Sequence, residues 1–208
     1  MKYFVFDTET TGLDKYRSDI LSIGGHLFEI DEMHGYPFNY KPILMYFKTD
    51  DEVPTEASKI NGLTRNKLDN LSNGMYFEDC ESKLSEIFAE DVVPVAYNRE
   101  FDMTIVRSNC ERRNIQKPKW RDSVELMDLI KPYINTGMSG RVKLMNALYQ
   151  VFIKPGVYTQ EQIDEKYKMV CGDMIAENRF HDALYDSFVS MLLFFFCLRT
   201  RGDYGRVN

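Results

Sequence analysis

The order of the apolar segments predicts an α/β domain with a mixed sheet, and two observations carry that reading. First, "KYFVFDTE" from Lys2 and "ILSIGGHLFEI" from Ile20 to Ile30 read as strands, and "MHGYP" turns the chain into a third, "KPILMYFK", from Lys41 to Lys48. Strand, turn and strand in close succession make an antiparallel meander. Second, the strands that come later alternate with helical segments. Strands first, then strands alternating with helices, give a mixed sheet covered by helices.

Each element has its own signal. Tyr3 to Phe6 are four apolar residues in a row, as a buried strand requires, and they run straight into Asp7, Thr8 and Glu9. "TEASKINGLTRNKLDNL" gives short helical pieces broken by Gly62, and "FEDCESKLSEIFAE" places Phe77, Leu84, Ile87 and Phe88 at helical spacing. "VVPVAYN", Val92 to Asn98, is a short buried strand that ends on a polar residue, and a helix over about 100–113 follows it. "PKWRDS" reads as a further strand, with helices at about 124–134 and 142–152 behind it. From Lys154 to Phe180 the pattern is less regular, although Thr159 and Gln162 form a capping-box pair that predicts a helix over 160–169. The last segment places Leu184, Phe188, Met191, Leu192 and Phe195 on one face of a core-packed helix. No internal repeat or linker interrupts residues 1–208, so one domain is expected.

Composition narrows the class. A chain of 208 residues can bury one substantial core and is short for two, and 44% hydrophobic with 28% charged residues is far from disorder. The four cysteines show no CxxC pair, which reads as free thiols in a reducing compartment. No secretory apolar region precedes Asp7, and the stretch from Phe188 to Leu198 falls short of the ~20 residues of a membrane span. A cytoplasmic protein away from membranes is expected. The net charge of −6 argues against holding nucleic acid over the whole surface. One basic run, from Arg99 through Arg107, Arg112, Arg113, Lys117 and Lys119 to Arg121, is either a solvated helix face and loop or a local contact surface.

The carboxylates are the chemical signal. In a strand, residues i and i+2 share a side, so Asp7 and Glu9 point together with Thr8 facing away. Two adjacent carboxylates raise each other's pKa unless a cation joins them, and oxygen-only ligation suits Mg²⁺ or Mn²⁺. "YNREFD" ends the Val92 strand, with Asp102 one helical turn beyond Asn98. If that strand neighbours the first, Asp102 faces the Asp7/Glu9 pair, because sites in open α/β sheets form beyond the carboxyl ends of strands. In "HDALYD", His181 precedes the last helix, and Asp186 sits among the apolar Leu184, Phe188 and Val189. Asp186 is therefore either a helix-edge residue or an inward carboxylate that needs a partner.

"FDTETTGL", "AYNREFD" and "HDALYD", in this order, resemble the three motifs of the DEDDh 3′–5′ exonucleases. That family takes in DnaQ-like proofreading subunits, ribonuclease T and oligoribonuclease, within the ribonuclease H-like superfamily. "VPTEASKINGLT", Val53 to Thr64, resembles the stretch between the first two motifs. The resemblance implies a five-stranded mixed sheet, an antiparallel meander plus parallel strands, flanked by helices. It implies that Asp7, Glu9, Asp102 and Asp186 bind two divalent ions, Mg²⁺ or Mn²⁺, and that His181 is the general base. It implies that Thr10, Thr11, Gly12 and Leu13 meet the terminal nucleotide, Gly12 by allowing a close turn and Leu13 as an apolar wedge, with Asn98 near the 3′ end. The chain departs from the pattern in carrying Tyr97 where His is common, and in a long segment before His181, so that 154–180 reads as an insertion. The implied activity is hydrolysis from a free 3′ end, most favoured on single-stranded DNA, releasing nucleoside 5′-monophosphates. RNA processing, action as a polymerase-bound proofreading subunit, and homodimer formation stay open.

Overall fold

Tyr3 to Phe6 lose all contact with solvent, and the sheet assembles around their strand, β1 (Lys2–Thr10). The computed structural model describes residues 1–31, 35–174 and 182–202. The sheet runs β3-β2-β1-β4-β5. β2 (Ile20–Ile30) and β3 (Pro37–Tyr46) form the antiparallel meander with β1, whereas β4 (Val92–Ala96) and β5 (Val124–Glu125) join it in parallel. This is the mixed five-stranded α/β sheet that the sequence predicts.

Alternation along β1 divides the core in two. Tyr3 and Val5 face one side, packed with Phe28, Phe188 and Phe194, while Phe4 and Phe6 face the other with Phe88, Met103 and Ile105. Each buried aromatic or aliphatic side chain contributes roughly 1.5–3 kcal/mol, so the centre of the sheet is its most strongly held part. The first layer holds α5 (Leu126–Ile130), α6 (Leu144–Leu148), α7 (Gln160–Cys171) and α8 (Ala183–Arg201). The second holds α3 (Glu81–Ile87) and α4 (Arg99–Arg112). Two short helices, α1 (Thr55–Asn61) and α2 (Arg65–Leu71), connect β3 to this second layer, separated by Gly62 at φ 69°, a left-handed value that glycine adopts without strain.

Several expectations change. "PKWRDS" forms no strand: Trp120 is its only large apolar side chain, and the indole packs on Phe88 with the Arg107 guanidinium over it at 4.7 Å. The fifth strand begins instead at Val124, which pairs with Val95, and the helix expected over 124–134 shrinks to α5 and a 3₁₀ turn. The helix expected over 142–152 is α6 continued by a π-helical turn, Tyr149–Ile153. β3 begins four residues before the expected Lys41, at Pro37. The capping box at Thr159 is present, and α7 contributes Ile163, Tyr167 and Cys171 to the core. α8 is no one-faced helix: Leu193, Phe194 and Cys197 are as buried as Leu184 and Phe188, because the helix crosses β1 and β2 beneath the neighbouring helices. Its length and apolar composition would suit a membrane span, but that apolar surface is spent on the core. All four cysteines are free and buried.

Candidate active site

Asp7 and Glu9 continue the side of β1 that carries Tyr3 and Val5, so they face the layer of α8. Asp186 lies in the first turn of α8, and one carboxylate oxygen from each of Asp7, Glu9 and Asp186 lies within 4.8 Å of the others. The β1–β2 register shifts between Glu9 and Thr10, an irregularity of the kind that re-aims a strand end beside a site. α8 comes this close because β2 carries Gly24 beneath its start. A β-carbon on Gly24 would stand 2.2 Å from the Leu184 backbone nitrogen.

Asp102 arrives from the opposite layer. β4 lies beside β1 in parallel, as the expected facing of Asp102 and Asp7 requires, and α4 starts directly beyond it. Thr8 does point away from the carboxylate pair, and on that side its Oγ1 donates to Asp102 Oδ1 at 2.7 Å. Asp102 is buried and stands outside the group of three, yet close enough to Asp7 to disfavour its ionisation. His181 lies outside the described residues.

The electrostatics follow from this crowding. Burial, then Asp102, Asp186 and Glu9, hold the Asp7 carboxyl well above the usual range. Glu9 is raised by burial and by Asp186, Asp182 and Asp102, against a hydrogen bond from Asn61 that favours its charged form. Burial pushes both Asp102 and Asp186 up to about 7. Among the described residues no lysine or arginine forms an ion pair with any of the four. Clustered carboxylates of raised pKa without a cation are the donor set of a hard divalent ion, which these side chains fit.

The flanks carry the remaining predicted residues. On the Glu9 side, Thr10 to Leu13 line an apolar cavity of about 400 Å³ together with Ile60 and Phe101. Leu13 is 91% exposed on a loop that α4 holds still: Ser108 donates to the Lys15 carbonyl, and Arg112 to those of Tyr16 and Ser18. Gly12 lies in the bend after β1 with a backbone outside the left-handed region, and a β-carbon there would press on Ser18 Oγ at 3.1 Å. On the Asp186 side, Asn98 is exposed at the N-terminus of α4, makes no capping bond, and lines a second cavity. Tyr97 resolves as a packing residue: its buried hydroxyl donates to the Val142 carbonyl at 2.6 Å.

Three positioning residues escape a reading of the motifs alone. Asn61, the last residue of α1, supports Glu9 and donates to the Thr10 carbonyl at 3.3 Å. Asp182 caps α8 by accepting from Leu184 N at 2.8 Å, and also accepts from the Tyr46 hydroxyl. Gly24 is the third; its sequence signal is a Gly-Gly pair inside a strand, which marks close backbone approach. The basic run proves largely structural. Arg112 and Arg113 both pair with the buried Asp19, Lys117 with Glu111 and Arg121 with Glu90, while Arg107 covers Trp120.

A carboxylate centre beyond the carboxyl ends of adjacent parallel strands, in a ribonuclease H-like α/β fold, defines a nuclease of the metal-dependent kind. The RNase T family model, described as an exonuclease, matches residues 4–194. The chain belongs to that family, the DnaQ-like exonucleases. Among its relatives is the PolC-type DNA polymerase III of Thermotoga maritima, 27% identical over 198 residues, which are 92% of this chain and 11% of the relative. The same polymerase of Streptococcus pneumoniae is 30% identical over 124 residues, 55% of this chain and 7% of the relative. The chain therefore spans about a tenth of the length of these relatives. Among solved structures, E. coli exonuclease I in complex with a dA16 oligonucleotide aligns with TM-score 0.66 at 16% identity, over 96% of this chain and 41% of that one. Exonuclease X in complex with 5′ overhanging duplex DNA aligns with TM-score 0.61 at 19% identity, over 96% and 93%. Both likenesses are of fold.

Proposed function

We propose that this chain removes nucleotides one at a time from the 3′ end of single-stranded DNA, releasing nucleoside 5′-monophosphates. The observation that carries the proposal is the convergence of Asp7, Glu9 and Asp186 within 4.8 Å, flanked by the apolar cavity at Leu13. Asp7, Glu9, Asp102 and Asp186 would hold two divalent ions, Mg²⁺ or Mn²⁺. What such ions supply when bound is charge to offset the phosphate, acidification of the attacking water and stabilisation of the leaving 3′ oxygen.

The chain's own residues do the rest. The cavity beside Glu9 takes the terminal base and sugar, with Thr10, Thr11 and Gly12 against the nucleotide and Leu13 wedged against the base before it. Asn98 hydrogen-bonds near the 3′ end. His181 accepts a proton from the attacking water, a role that the imidazole side chain suits. The similarity to PolC-type polymerases supports a second reading, in which the exonuclease trims the primer strand of a polymerase partner.

The test is hydrolysis of matched single-stranded DNA, double-stranded DNA and RNA labelled at the 5′ end, in Mg²⁺. Asp7→Ala abolishes trimming while the circular dichroism of the fold is retained, and His181→Ala lowers turnover by about 10²–10⁴-fold. An Asp7→Ala protein that trims at the wild-type rate would sink the proposal.

A further inference from the structure

The second cavity, on the Asp186 flank, measures about 540 Å³ and is bordered by two cations, Arg141 and Lys143, as well as by Asn98 and Asp186. Val142 between them is buried, and its carbonyl accepts the Tyr97 hydroxyl at 2.6 Å. Val142 packs in the core while Arg141 and Lys143 on either side of it stay exposed, so both cations lie on the outer side of the segment. Tyr97 thus ties their segment to the end of β4, beside the carboxylate centre. Both are exposed, and neither forms an ion pair with a described carboxylate, whereas Arg112, Arg113, Lys117 and Arg121 of the basic run are all engaged. Glu100, which feels the charge of Arg141, is already bound by Lys15.

We propose that Arg141 and Lys143 form a phosphate subsite, binding the one or two phosphodiesters that lie 5′ of the bond being cut. The inference rests on the exonuclease reading and adds a path for the strand. The terminal nucleotide fills the apolar cavity on the Glu9 flank, the scissile phosphate meets the carboxylates, and the preceding backbone passes through the cationic cavity on the Asp186 flank. A chain of net charge −6 with an acidic centre repels a polyanion, and two free cations at the rim offset that repulsion where the strand must pass. Contacts to phosphate carry no sequence information, so the strand can advance by one nucleotide after each cut.

The experiment is trimming of 5′-labelled oligothymidylates of increasing length in Mg²⁺, over a range of salt, by the full chain and by Arg141→Gln/Lys143→Gln. In the wild type, kcat/KM rises with length and falls with salt. The double variant raises KM on the longer strands by about tenfold and makes the log–log salt slope shallower by about 1.4, two phosphates at ~0.7 each for a single strand. Arg141→Lys/Lys143→Arg keeps the wild-type slope, which a merely structural role for these side chains does not require. A double variant with wild-type length dependence and salt slope overturns the subsite and leaves the exonuclease reading standing. A wild-type chain that trims no oligonucleotide overturns both.

Discussion

Thr8 Oγ1 donates to Asp102 Oδ1 at 2.7 Å, and this bond joins β1 to α4 across one face of the sheet. The residue between the two acidic residues of the first motif therefore reaches the acid of the second. Asp7 and Glu9 project to one layer and Thr8 to the other, so a single strand end organises carboxylates from both sides of the sheet.

Thr8→Val keeps the shape of the side chain and removes the donor. Asp102 then loses a buried partner and its orientation, and kcat falls by about 10–100-fold, as small misplacements of catalytic groups do. Thr8→Ser retains most of the activity. Steady-state kinetics of both variants, with melting curves to exclude unfolding, check this.

Gly24→Ala forces α8 away from β2, because the added carbon would lie 2.2 Å from Leu184 N and 2.3 Å from the Ala183 carbonyl carbon. The expected cost is about 1–3 kcal/mol of stability, with activity lost beyond what the unfolded fraction explains, since Asp186 moves with the helix. Chemical denaturation and activity measured on the same sample separate the two effects.

The raised carboxylates give the metal-free fold a definite pH dependence. The native state of a group lifted to about 7, as Asp102 and Asp186 are, holds a proton that the unfolded state has already lost above about pH 4. In that window the native state binds more protons, so these groups make stability fall as pH rises. In EDTA the Tm is expected to drop by roughly 5 °C or more between about pH 5 and about pH 8. Mg²⁺ restores it at the higher pH, and Asp186→Asn flattens the dependence while abolishing cleavage. A Tm indifferent to both pH and Mg²⁺ would contradict this.

Arg112→Ala removes an ion pair to the buried Asp19 and two backbone contacts that hold the Leu13 loop. It is expected to destabilise the fold by about 1.5–3 kcal/mol. The salt dependence of strand binding is expected to keep its wild-type slope, because this guanidinium is engaged within the protein. Melting curves and salt titrations of oligothymidylate binding report the two quantities separately.

Much of the fold was legible along the chain. The four-residue apolar run before Asp7, the capping box at Thr159 and the break at Gly62 each act over a few neighbours, and each produced the element it predicts. "PKWRDS" misled because one buried Trp120 in a charged stretch resembles a strand end, while the two-residue β5 is too short to show a period. α8 misled for another reason: a helix enclosed by other helices needs no polar face, so its outer face also became apolar.

The acidic pair Asp7 and Glu9, and the side of β1 on which they stand, follow from a local alternation that any strand imposes. The approach of Asp186 and Asp102 to that strand end is of another kind. It depends on β4 lying parallel beside β1 and on the missing β-carbon of Gly24, just as the place of Arg141 and Lys143 depends on Tyr97 holding the 141–143 segment at the end of β4. Backbone periodicity sets the direction of a side chain within its own element, whereas distances between segments 94 or 45 residues apart are set only when strands pair and layers pack.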